Sequence, residues 1–61
     1  MTPEQAAYKA MQDAVAAGKN ELDTLKAGAM AVWHFRKGDT VKNVALARDV
    51  YDKHFKVMGP N

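Results

Sequence analysis

The chain has no cysteine, no serine and no isoleucine, and only three leucines among its 61 residues. Without cysteine there is no disulfide, no thiolate metal site and no nucleophilic thiol. Nothing then marks an oxidising compartment, and the expectation is a cytoplasmic protein. No serine nucleophile exists either, and Thr2, Thr24 and Thr40 sit where helix caps or helix surface account for them. Apolar runs are only a handful of residues long, too short for a membrane-spanning helix. The opening MTPEQAAYKA carries Glu4 and no apolar segment, which does not fit a secretory signal.

What fills the apolar fraction is small: eleven alanines and six valines. Such side chains let helices approach closely but bury little area each. At roughly 25 cal/mol per Å² buried, against about 1.5 kcal/mol per ordered residue, a chain of this size comes out near zero. Self-association, or a partner as part of the folded state, is the expectation. Charge is uneven: residues 1–30 balance at −1 and residues 31–61 at +3. A basic half of this kind suits phosphate or an acidic protein surface.

Three helices with short loops are expected, giving an all-α fold: a three-helix bundle, or a helical hairpin plus a third helix, with a dimer in prospect. The whole of residues 1–61 reads as one domain. Thr2-Pro3-Glu4-Gln5 is a capping box with proline at the first helical position, opening a helix over 3–17 that Gly18 stops in left-handed conformation. Tyr8, Met11 and Val15 mark one face of it, and Ala6, Ala10, Ala14 and Ala17 mark a stripe for close helix approach. Asn20 caps a second helix over 21–37, with Glu21 and Asp23 in its first turn. Leu22, Leu25, Ala29, Val32 and Trp33 form its core stripe, with Trp33 as the centre of the core. Gly28 interrupts that pattern and marks a kink, a break or a close crossing. Gly38 ends the helix, Asp39 or Thr40 caps a third over 41–57, and Val44, Ala47, Tyr51, Phe55 and Met58 mark its core face, which Leu46 and Val50 widen.

Catalysis is not expected, because general acid–base work needs a pocket that so small a core can hardly enclose. His34 and His54 lie on different helices without zinc-ligand spacing, so neither metal nor cofactor is expected. Two functional readings are left. In the first, the chain is a small non-enzymatic binding module of adapter or inhibitor type, of the sort short bacterial or phage genes encode. It presses a helix face onto a protein partner or a second copy, through Met30, Phe35, Arg36 and Lys37. In the second, Lys37-Gly38-Asp39 is the turn of a DNA-binding helix-turn-helix. The helix over 40–48 would enter the major groove with Lys42, Asn43 and Arg48, and Arg36 and Lys37 would meet phosphates. His34 counts against this second reading, since it stands four positions before the turn glycine, where a small residue is usual.

Overall fold

A computed structural model describes residues 1–56 of the chain, and within them three helices pack as a bundle: α1 (Pro3–Ala16), α2 (Glu21–Phe35) and α3 (Thr40–His54). Each begins on a side chain that satisfies an otherwise unpaired backbone donor. Thr2 Oγ1 accepts from the Gln5 backbone N–H at 3.1 Å, and the Thr2 N–H donates to Gln5 Oε1 at 2.9 Å, completing the capping box. Asn20 Oδ1 accepts from the Asp23 N–H at 2.8 Å, and Asp39 Oδ1 from the Lys42 N–H at 3.1 Å. Asp39, not Thr40, is therefore the third cap.

The ends of α1 and α2 differ in kind. After α1, Gly18 adopts φ +79°, the Gly18 N–H donates to Val15 O, and the Lys19 N–H reaches back to Ala14 O at 3.0 Å. This is a Schellman closure, and it needs the left-handed residue. By contrast α2 stops at Phe35, two residues before the expected Lys37. Arg36 leaves it in extended conformation (φ −142°, ψ 110°), and Gly38 makes the turn at φ +132°. The aromatic and β-branched run Val32-Trp33-His34-Phe35 has weak helix propensity. The Arg36 side chain also bonds to Asn43 of α3, which holds the chain as it turns back. The expected continuation of α3 through Val57 and the core position Met58 lie outside the described residues.

Gly28 neither breaks nor kinks α2, which runs unbroken across it. It lies against α1: a Cβ built there would overlap Met11 Cε and lie 3.1 Å from Met11 Cγ. Thr24, one turn earlier on the same face, is also buried. This ridge of small residues sets the rotation of α2. Val32, about 40° round the helix from Gly28, is driven into the core, while Trp33, about 140° from it, is not.

The expectation that Trp33 is the core centre is thereby corrected: it is 40% exposed, and the centre is formed by Met11 and Val32, with no exposed surface. Leu22 and Val44, expected on core faces, are exposed, and so is Val15. On α1 the buried positions are Ala7, Met11 and Ala14, which run between the two stripes read from the sequence. Ala47 and Val50 complete the core from α3, with Leu25, Ala29, Leu46 and Tyr51 half-buried around it. Tyr8 joins α1 to the end of α3, its ring 4.7 Å from that of His54 and 5.4 Å from that of Phe55.

Candidate docking groove between the second and third helices

Because the small residues of α2 face α1, its large apolar residues are left on the side towards α3 and solvent. Leu22 and Met30 are each 61% exposed. With Trp33 they border a cavity system along the α2–α3 seam. One cavity, of about 290 Å³, is lined by Ala29, Met30, Trp33, Asn43 and Val44 among others. A second, of about 210 Å³, is lined by Leu22, Leu25, Ala29, Val44 and Arg48 with Lys26. The two share Lys26, Ala29 and Val44, so they adjoin, and together they are the trough of the α2–α3 seam. From Leu22 to Trp33 it extends roughly 16 Å, or three helical turns, at about 1.5 Å per residue.

The charged side chains in its walls are both cationic: Lys26 of α2 borders both cavities, and Arg48 of α3 borders the second. A third cation closes the Trp33 end, where Lys37 Nζ stands 5.3 Å from the centre of the indole ring. This is within cation–π range. The His34 ring meets the same indole edge-on at 5.3 Å.

Asn43 gives the trough its one buried polar group. The residue is 2% exposed, and its Oδ1 accepts from Arg36 Nε at 3.1 Å. Arginine can only donate, so this bond fixes the amide's orientation and leaves Nδ2 as the remaining donor. Asn43 Nδ2 is buried and has no hydrogen-bond partner among the described residues. An unmet buried donor costs about 1–3 kcal/mol. That is a large sum for a bundle with so small a core.

Of the residues singled out for protein binding, the structure brings Met30 and Lys37 to the trough and leaves Phe35 elsewhere. Phe35 is exposed but lies about 140° round the helix from Met30. Arg36 lines neither cavity and is turned onto Asn43, to which its Nε donates. Of the residues singled out for nucleic acid, Asn43 is buried rather than presented to solvent, and Lys42 and Arg48 lie about 120° apart on α3. Leu22, Lys26, Trp33 and Val44 went unassigned as binding residues from sequence. The signal for them was Thr24 and Gly28, small residues one turn apart, opposite an alanine-rich α1.

A mixed-charge cavity of about 230 Å³ near the start of α1 is lined by Glu4, Asp49, Lys53 and His54 with Leu46 and Val50. Its histidine is engaged by Tyr8. No helix among the described residues is long and apolar enough to cross a membrane. No family model, curated protein or solved structure matches the chain.

Proposed function

We propose that this protein is a non-enzymatic helical binding module that works by protein–protein contact, with the α2–α3 trough as its docking face. The observation that carries the reading is the gathering of exposed Leu22, Met30 and Trp33 of α2 and Val44 of α3 along one seam. Exposed apolar residues scattered singly need no explanation, but a contiguous set around a concave seam is what partner sites look like. Walls drawn from two helices, with apolar residues between them, suit a helix laid into a groove. Methionine and tryptophan are side chains such sites favour: the first adapts its shape, and the second offers a large rigid face.

Selection of displayed helical peptides on the intact chain tests this, with mapping by amide chemical shifts. The expected result is binders whose perturbations centre on Met30, Trp33 and Val44. Binders that map instead to α1, together with tight duplex DNA binding that weakens steeply with salt, would sink the reading in favour of the DNA-binding alternative.

A further inference from the structure

We infer that the occupant of the trough is a three-turn amphipathic helix from an acidic protein partner, with carboxylates flanking its apolar stripe. This rests on the docking reading above and adds the chemistry of what docks. Length is set by the seam, which offers about three turns of apolar floor between Leu22 and Trp33. Sign is set by the walls. Lys26 stands on the α2 side, Arg48 on the α3 side and Lys37 over Trp33, and no carboxylate lines either cavity. A helix with Glu or Asp on both flanks of its stripe meets a cation on each wall.

A second copy of this chain is disfavoured by the same charges. A two-fold pair brings this patch against an identical one, so a trough whose charged walls carry only cations meets only cations. Duplex DNA meets the cations but offers no apolar ridge to fill the floor.

The test uses the full chain and a displayed library of 15-residue helices. Each carries leucine along one stripe, with Glu, Gln or Lys randomised at the flanks. Glu should be enriched on both flanks. A recovered peptide should shift the emission of Trp33, the only tryptophan, to the blue. At low salt it should bind about tenfold or more tighter than its Lys-flanked counterpart, a gap that narrows at about 1 M salt, where charges are screened beyond roughly 3 Å. Lys26→Glu with Arg48→Glu should reverse the flank preference. Enrichment of Lys or Gln at the flanks overturns the acidic occupant and leaves the docking groove standing. So does a molar mass that doubles on concentration while Trp33 becomes protected, because the occupant is then a second copy. Recovery of no peptide, or of peptides that leave Trp33 emission unchanged, removes the docking groove as well.

Discussion

At Asn43 a buried amide keeps one good hydrogen bond and one unmet donor, and at Trp33 a large apolar ring stays partly in solvent. Both cost stability in the free chain, and each makes a measurable claim. Leucine has the same branching as asparagine and no donor to bury. Arg36, which is exposed, regains water when the amide is gone. Asn43→Leu is therefore expected to stabilise the bundle by about 1 kcal/mol. In a domain of this size that raises the melting temperature by about 4–8 °C, readable by circular dichroism, and a fall in that temperature refutes the account of Nδ2. Trp33→Ala should melt cooperatively with a loss of about 1–2 kcal/mol, below that of a fully buried aromatic, since 40% of the residue is already in water. Met11→Ala, at a site with no exposed surface, should cost about 2–5 kcal/mol and leave the chain largely unfolded. If the two variants ranked the other way, Trp33 would return to the core.

The helices show which parts of the fold can be read from a sequence and which cannot. Thr2-Pro3-Gln5, Asn20, Asp39 and Gly18 were legible because a cap is a contract between residues three to five apart, and every partner is in view along the chain. The three-helix class follows from them. Rotation of α2 about its own axis was not legible, because it is decided between Gly28 and Met11, seventeen positions apart, and hydrophobic size pointed the other way. The stripe from Leu22 to Trp33 has the period of a core face, and its inner members Leu25, Ala29 and Val32 do turn inward. Its outer edge became the docking seam. The end of α2 depended likewise on a pairing across the turn, Arg36 with Asn43. Two glycines separate these local and long-range causes. Gly18 has nothing within 4 Å of a notional Cβ, so Gly18→Ala should cost only the left-handed backbone penalty, about 1–2 kcal/mol. Gly28→Ala gains about 1 kcal/mol of helix propensity but forces Met11 out of a filled site, where overpacking costs about 1–3 kcal/mol. A net loss is expected. A double-mutant cycle with Met11→Ala should recover part of it, and strict additivity would show that the two do not touch.

For the molecule as a whole, the scarcity of large aliphatics and the apolar seam have one physical origin. The chain puts its smallest residues, Ala7, Ala14 and Gly28, where helices must meet closely, and leaves Leu22, Met30 and Trp33 outside. The interior is thin, and the bulk that could thicken it borders the trough. A ligand that covers this surface stabilises the fold by mass action, about 2.7 kcal/mol at a hundredfold excess over its dissociation constant. For a domain so small that corresponds to a rise of 10 °C or more, at about 4–8 °C per kcal/mol. Val44→Glu separates binding from folding in this setting. Val44 is half exposed, so the carboxylate can reach water and the free chain should melt within about 0.5 kcal/mol of wild type. On the trough floor, however, it sets an anion against the acidic flanks of the inferred partner and removes an apolar contact. Differential scanning fluorimetry with a Glu-flanked helix should show the full shift for wild type and almost none for Val44→Glu. Equal shifts for both proteins would mean that the peptide stabilises the bundle from some other face.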